Sequence, residues 1–179
     1  MPVTTEEQKG LIIVYTGEGK GKTTAALGLA LRAVGQGLRV IVIQFLKGRW
    51  LTGERKAARL LSPWLEIVPM GKGFTWQHET LDEDIAAAEE AWQRCKKAMT
   101  SSQYDMVIMD ELNYVLHYGF LPLEEVLETL RARPPALHVV LTGRNAPPQL
   151  MALADIATEM HAVKHIFAEG GKAVKGIEF

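Results

Sequence analysis

The chain carries the stretch Thr16-Gly17-Glu18-Gly19-Lys20-Gly21-Lys22-Thr23-Thr24 between an apolar run and a helical pattern. A glycine-rich turn that joins a strand to a helix is the setting of a phosphate-binding loop, because its backbone N–H groups point inward and the helix dipole adds positive potential. Lys22 supplies a mobile positive charge, and Thr23 offers a hydroxyl to a magnesium ion that bridges phosphate oxygens. Thr16 departs from the strict pattern, in which a glycine stands there. We interpret the stretch as a variant phosphate-binding loop.

Short apolar runs alternate with longer helical patterns along the chain, which is typical of a parallel sheet covered by helices on both faces. Strands are predicted at residues 11–15, 39–45, 65–69, 105–110 and 137–142. Helices are predicted at residues 22–34, 53–61, 82–99, 122–131 and 148–154. Apolar alternation at 162–167 and 174–179 predicts a terminal hairpin or edge strands. We therefore expect a single α/β domain over residues 11–179, preceded by a flexible arm at 1–10.

The composition excludes several classes of protein. Apolar residues make up 47% and charged residues 23% of the 179 residues, which argues against disorder and collagen. A net charge of -1 lacks the basic excess of nucleic-acid binders. The single cysteine, Cys95, excludes an internal disulfide and fits a reducing compartment. No apolar run is long enough to span a bilayer. Together with the charge and the single cysteine, this predicts a cytoplasmic protein that binds neither membrane nor nucleic acid.

Two carboxylates, Asp110 and Glu111, end the predicted strand at residues 105–110. In nucleotide-binding α/β proteins an acid at a strand end reaches the magnesium shell. Because ligands bind beyond the carboxyl ends of parallel strands, one of the two should face Thr23, with the loop that carries Arg144 on the same rim. The alternative is that these carboxylates cap a helix after a core strand.

Two aromatic residues, Phe74 and Trp76, lie in a glycine-rich segment after the third predicted strand. Large apolar groups on a rim loop often line a ligand site, although the same rings would also serve as core plugs. Lys47 and Arg55 follow the second strand and, with Arg144, are candidates for holding an anionic ligand. The alternative for each basic residue is a solvated surface charge.

Motifs along nearly the whole chain form a specific combination: TGEGKGKTTAA, VIQFLKG followed by TGER, GKGFTWQ, MDEL followed by PLEEV, TGRNAP and VKHIFAEGGKAVKGI. This combination resembles the ATP:corrinoid, or cob(I)alamin, adenosyltransferase family of P-loop proteins, which act in cobalamin synthesis and salvage. The resemblance implies transfer of the 5′-deoxyadenosyl group of ATP to Co(I) of a corrinoid, with release of triphosphate. It also implies that the triphosphate lies reversed on the loop, so that the ribose 5′ carbon faces the corrin. The variant glycine spacing of the loop agrees with this.

The resemblance implies roles for individual residues. Lys22, Phe74 and Trp76 are the expected catalytic residues, the two rings displacing the lower axial ligand of cobalt so that Co(II) is easier to reduce. Thr23, Asp110 and Glu111 are the expected magnesium ligands. The expected nucleotide-binding residues are Gly17, Glu18, Gly19, Lys20, Gly21, Lys22, Thr23, Thr24, Arg55 and Arg144. ATP, Mg²⁺ and a corrinoid substrate are thus implied, and a flavoprotein reductant and a homodimer are further partner hypotheses.

Two other functions are open from the residues alone. In a P-loop ATPase or small-molecule kinase, Glu111 would orient an attacking water or hydroxyl. In a non-catalytic ATP-sensing module, Phe74 and Trp76 would form a patch for a partner protein. Product analysis separates the three hypotheses, because only the adenosyltransferase releases triphosphate.

Overall fold

A parallel sheet of six strands, in the order β3-β2-β4-β5-β1-β6, forms the centre of the computed structural model, which describes residues 9–48, 51–71, 81–166 and 170–177. The strands are β1 (Ile12–Thr16), β2 (Val40–Gln44), β3 (Leu65–Pro69), β4 (Met106–Asp110), β5 (His138–Thr142) and β6 (Ile156–Glu159). The helices are α1 (Lys22–Gly35), α2 (Gly53–Leu60), α3 (Leu81–Thr100), α4 (Leu112–His117), α5 (Leu123–Arg131) and α6 (Pro148–Leu153).

The central strands β2 and β4 are apolar along almost their whole length because both of their faces are buried. Successive side chains of a strand point to opposite faces, so each strand contributes to two cores. Ala26 and Ala30 of α1 belong to the core on one face, and Trp92 of α3 and Leu150 of α6 belong to the core on the other. The prediction of an α/β domain with helices on both faces of a parallel sheet is confirmed.

The predicted hairpin or edge strands of the C-terminal segment are wrong for the described residues. The edge strand is β6, which lies earlier in the chain and pairs in parallel with β1. Asp155 fixes its start, since its carboxylate accepts a 2.8 Å hydrogen bond from the backbone N–H of Ile12. Residues 162–166 and 174–177 form no strand. Val163 is almost fully exposed there, so the apolar alternation does not reflect a buried sheet face.

Three further points concern the N-terminal arm, the cysteine and membrane spans. The arm predicted at residues 1–10 stays a prediction, because residues 1–8 lie outside the described part. Cys95 is free and buried on α3, where burial raises the pKa of its thiol. Within the described ranges, no helix is both long and apolar enough to cross a membrane.

Candidate active site

The carboxyl ends of β1, β4 and β5 meet at one rim of the sheet, and a buried carboxylate lies at their centre. Asp110, the last residue of β4, is 1% exposed. Its Oδ1 accepts a 2.7 Å hydrogen bond from the hydroxyl of Thr23 and a 2.9 Å hydrogen bond from the hydroxyl of Thr142. The structure therefore brings together the loop before α1 and the ends of two strands, and Asp110 is the carboxylate that contacts Thr23.

Lys22 lies across the inside of the glycine-rich loop. Its Nζ donates hydrogen bonds of 2.6 Å to the carbonyl of Gly17 and 2.7 Å to the carbonyl of Gly19. Burial lowers the pKa of this ammonium group, and the carboxylate of Glu111 opposes that effect. The loop thus holds a buried positive charge whose donors converge with the helix N-terminus, an arrangement suited to an anion.

The backbone that follows β6 passes directly over the loop. The N–H of Gly19 donates a 2.6 Å hydrogen bond to the carbonyl of Met160, and the N–H of Met160 donates one of 2.8 Å to the carbonyl of Thr16. A Cβ at Gly17 would lie 2.5 Å from the carbonyl oxygen of Met160, and one at Gly19 would lie 2.7 Å from it. The loop therefore needs glycine at both positions to let this segment approach.

This contact gives the variant glycine spacing a reason that sequence analysis missed. Reasoning from the residues linked the glycines to phosphate, and no local pattern indicated that a segment far along the chain would cross them. Gly21, in contrast, has a φ of 116°, which favours glycine whatever its neighbours are. The reversed placement of triphosphate stays a prediction.

Glu111 directly follows Asp110 at the end of β4. Its φ of 68° is unusual for a residue other than glycine, and its N–H donates a 3.0 Å hydrogen bond to the hydroxyl of Thr142. Burial, followed by the charge of Asp110, raises the pKa of Glu111, and Lys22 partly offsets the rise. The carboxylate of Glu111 lies against Gly143 of the loop after β5.

A second charged pair borders Asp110 on the β2 side. Nζ of Lys47 lies 2.9 Å from Oε1 of Glu54 and 3.8 Å from Oδ2 of Asp110. The side chain of Gln44 donates a 3.2 Å hydrogen bond to the same Oδ2. Burial lowers the pKa of Lys47, but Asp110 and Glu54 outweigh it and leave the pKa raised. Sequence analysis named Lys47 as a candidate for holding an anionic ligand but did not indicate either partner.

A buried amide also joins two of the strand ends. Asn113 of α4 donates hydrogen bonds of 3.0 Å to the carbonyl of Gly143 and 3.4 Å to that of Tyr15. The side chain thereby ties the end of β1 to the loop after β5. Its only signal in the sequence is a polar residue in an otherwise largely apolar segment, which did not single it out.

The other predicted site residues are more dispersed. Arg144 forms a 2.9 Å ion pair with Glu18, and both side chains are exposed, so the pair contributes little to stability. Lys20 donates a 3.2 Å hydrogen bond to the carbonyl of Ile177. Thr24 is exposed on α1, and Arg55 is half-buried on α2. Phe74 and Trp76 lie outside the described residues, so their roles stay predictions.

The oxygen ligands near the loop suit a magnesium ion shared with a phosphate. The described part of the chain holds no group of three or more His, Cys, Asp or Glu side chains placed to bind a metal. Mg²⁺ is commonly held by one or two carboxylates together with water and substrate phosphates, so such a group is not required. The Thr23 hydroxyl donates a hydrogen bond to Asp110, so the lone pairs of its oxygen are left to face a cation.

Comparisons with known proteins agree over nearly the whole chain. A family model described as "ATP:corrinoid adenosyltransferase BtuR/CobO/CobP" matches residues 8–179. The chain is 47% identical to the corrinoid adenosyltransferase of Escherichia coli strain K12 over 175 residues, which are 97% of this chain and 88% of that protein. It is also 47% identical, with the same coverage, to the corrinoid adenosyltransferase CobA of Salmonella typhimurium strain LT2.

A solved structure of different sequence shares the fold. The flagellar accessory protein FlaH from Methanocaldococcus jannaschii is similar with a TM-score of 0.55 at 12% identity. The match covers 85% of this chain and 71% of that one. At this identity the likeness concerns the α/β fold alone.

Proposed function

The chain belongs to the ATP:corrinoid adenosyltransferase family, and we propose that its loop at residues 16–24 holds the triphosphate of ATP during adenosyl transfer. The protein is thus an enzyme that transfers an adenosyl group from ATP to a corrinoid. The observation that carries the proposal for the loop is the buried ammonium of Lys22, which lies inside it beside the Thr23–Asp110 hydrogen bond.

The proposed reaction is a nucleophilic substitution at the 5′ carbon of ATP. Co(I) of the corrinoid donates an electron pair to this carbon, a cobalt–carbon bond forms, and the bond from the carbon to the triphosphate oxygen breaks. Triphosphate departs with that bonding pair, and no proton needs to move. Co(I) is already a strong nucleophile, so the protein contributes positioning and charge rather than a general base.

Lys22 acts on the leaving group in this proposal. Its Nζ makes two hydrogen bonds to loop carbonyls, and these can be exchanged for phosphate oxygens within the same loop. A positive charge held in place before the reaction stabilises the negative charge that develops on triphosphate. The N-terminus of α1 adds to the same potential.

Thr23 and Asp110 are the residues that we propose to hold magnesium, with Glu111 close by. Bound Mg²⁺ would neutralise part of the triphosphate charge. Asp110 fixes the Thr23 hydroxyl through a 2.7 Å hydrogen bond, and Thr142 fixes Asp110 in turn. This chain of hydrogen bonds supports a preformed ligand geometry.

The remaining parts of the proposal rest on the family resemblance. Phe74 and Trp76 are proposed to remove the lower axial ligand of the corrinoid, and a flavoprotein is proposed to reduce cobalt. A homodimer and a cytoplasmic location are proposed on the same basis. Each of these points is independent of the geometry of the loop.

The test incubates the protein with ATP, Mg²⁺ and chemically reduced cobalamin and follows the absorption spectrum of cobalt. We expect formation of the alkylated corrinoid together with one triphosphate for each ATP consumed. A parallel reaction with a chelator in place of Mg²⁺ should be much slower. Release of phosphate without alkylation would favour an ATPase and contradict the proposal.

A further inference from the structure

Asp110 divides its two carboxylate oxygens between different partners. Oδ1 accepts the hydroxyls of Thr23 and Thr142, which belong to the nucleotide side of the rim. Oδ2 accepts the amide of Gln44 and lies 3.8 Å from Nζ of Lys47. A buried carboxylate therefore has an ammonium group close to the oxygen that does not contact Thr23.

Lys47 and Asp110 differ in their freedom to move. Asp110 is 1% exposed and held by hydrogen bonds from three side chains, whereas the side chain of Lys47 is 37% exposed. Glu54, whose side chain is 17% exposed, is 2.9 Å from the same ammonium group. The Glu54 contact is shorter than the Asp110 contact by about an ångström, so Glu54 holds Lys47 back from Asp110.

We propose that Lys47 and Glu54 set the affinity of the magnesium site. Lys47 competes with the metal ion for the negative charge of Asp110, and Glu54 weakens this competition by binding Lys47. The proposal rests on the proposed function, in which Thr23 and Asp110 hold the metal. Lys47 and Glu54 are positioning residues here, because neither is required to touch the metal or the nucleotide.

The two residues should have opposite effects when their charges are removed. Lys47→Gln removes the competing cation, so a divalent ion should bind more tightly. Glu54→Gln releases Lys47 toward Asp110, so the ion should bind more weakly. If the ion pair only stabilised the fold, both substitutions would shift the Kd of the ion in the same direction, because either one breaks the same ion pair.

The experiment uses Mn²⁺ as a probe of the site and needs no turnover. Mn²⁺ takes oxygen ligands like those of Mg²⁺, and electron paramagnetic resonance counts the free ion. The full chain, in excess over ATP, is titrated with Mn²⁺ without corrinoid, and the binding of Mn²⁺ to ATP alone is measured in parallel and subtracted. We expect Lys47→Gln to lower the Kd of the ion on the order of fivefold and Glu54→Gln to raise it on the order of fivefold, as for a screened charge a few ångström away.

Controls separate the pair from a general charge effect. Lys56→Gln removes a positive charge from an exposed position on α2 and should leave the Kd unchanged. Lys47→Arg keeps the positive charge, so its Kd for Mn²⁺ should stay close to that of the wild type. The double variant of Lys47→Gln and Glu54→Gln should behave as Lys47→Gln alone, because Glu54 acts through Lys47. Circular dichroism melting of each variant checks that it is folded.

Specific results would overturn the inference. Shifts of the same sign in the two single variants, or no shift in either, contradict it. A double variant that binds more weakly than Lys47→Gln shows that Glu54 attracts the ion directly. If the wild-type chain binds ATP but no Mn²⁺, the proposed metal site itself is wrong. That result differs from a failure of the inference about Lys47 and Glu54, in which the wild type binds the ion and the variants do not shift its Kd as expected.

Discussion

Thr23 and Asp110, which are 87 positions apart in the chain, are joined by a hydrogen bond of 2.7 Å between a hydroxyl and a buried carboxylate. Thr23 belongs to the first turn of α1, and Asp110 is the last residue of β4. The bond orients the hydroxyl proton toward the sheet and its lone pairs away from it. The loop between β1 and α1 is thereby tied to the end of β4.

Replacing Lys22 by alanine should lower turnover at saturating ATP by about a hundredfold or more, as for the loss of other preorganised charges. The physical reason is the loss of the ammonium that we propose to face the leaving triphosphate. Steady-state kinetics with ready-made Co(I) measures the effect. Turnover close to that of the wild type would show that the loop does not stabilise the leaving group.

A methyl group at Gly19 should destabilise the protein by about 1–3 kcal/mol, because it overpacks the contact with the segment after β6. The Cβ would lie 2.7 Å from the carbonyl oxygen of Met160. Gly28→Ala is the matched control, since nothing lies within 4 Å of a Cβ built there in α1. This control should stabilise the helix by about 0.5–1 kcal/mol. Denaturant unfolding of both variants compares them, and equal changes in stability would contradict the expectation.

The pH dependence of stability should change when Glu111 is replaced by glutamine. Burial and the charge of Asp110 raise the pKa of Glu111 above the ordinary value of 4.5, so the folded chain holds this proton more tightly than the unfolded chain does. The stability that this group contributes is therefore present at low pH and is lost as the pH rises from 4.5 through the raised pKa.

Glu111→Gln cannot ionise and should gain stability relative to the wild type over that range. The measurement is the melting temperature of both proteins from acid to neutral pH. The difference should widen as the pH rises. A difference that stays constant, or that narrows toward neutral pH, would be inconsistent with the raised pKa.

Phe74 and Trp76 should matter for only one of two assays. If the rings displace the lower ligand of Co(II), replacing both by alanine should abolish most activity that starts from Co(II) with a mild reductant. Activity that starts from chemically prepared Co(I) should be largely kept. Rings that serve as core plugs would instead lower both activities together with the melting temperature, since truncating a buried aromatic costs about 3–5 kcal/mol. Electron paramagnetic resonance of Co(II) with ATP and wild-type protein is the direct check, and a signal that stays five-coordinate contradicts the proposed role.

The parts of the fold that local patterns encode could be predicted from the sequence. The apolar run before residue 16 and the glycine-rich turn after it predict β1, the loop and α1 because each depends on neighbouring residues. The meeting of Thr23 with Asp110 follows from a general rule of parallel sheets, in which strand ends gather at one rim. No such rule was available for the segment around Met160, whose path depends on the packing of the finished sheet.

Other features escaped for similar physical reasons. The strand β6 is short and exposed at all its residues, so it lacks the apolar signal of a buried strand. The pairing of Lys47 with Glu54 depends on where α2 packs against the sheet, which spacing in the sequence does not fix. The predicted C-terminal strands were wrong because apolar alternation indicates a strand only where one face of the segment is buried. Val163 in that segment is exposed.

Because the segment at Met160 crosses the loop, the loop cannot complete its contacts until late in the synthesis of the chain. Translation releases the N-terminal part of a chain first, so residues 16–24 of a nascent chain are exposed long before Met160 has left the ribosome. Until then the N–H of Gly19 lacks the carbonyl that it bonds in the complete fold. The earliest part of the site to be made is therefore among the last to reach its final backbone contacts, and a nascent chain arrested after β5 would carry an unfinished loop.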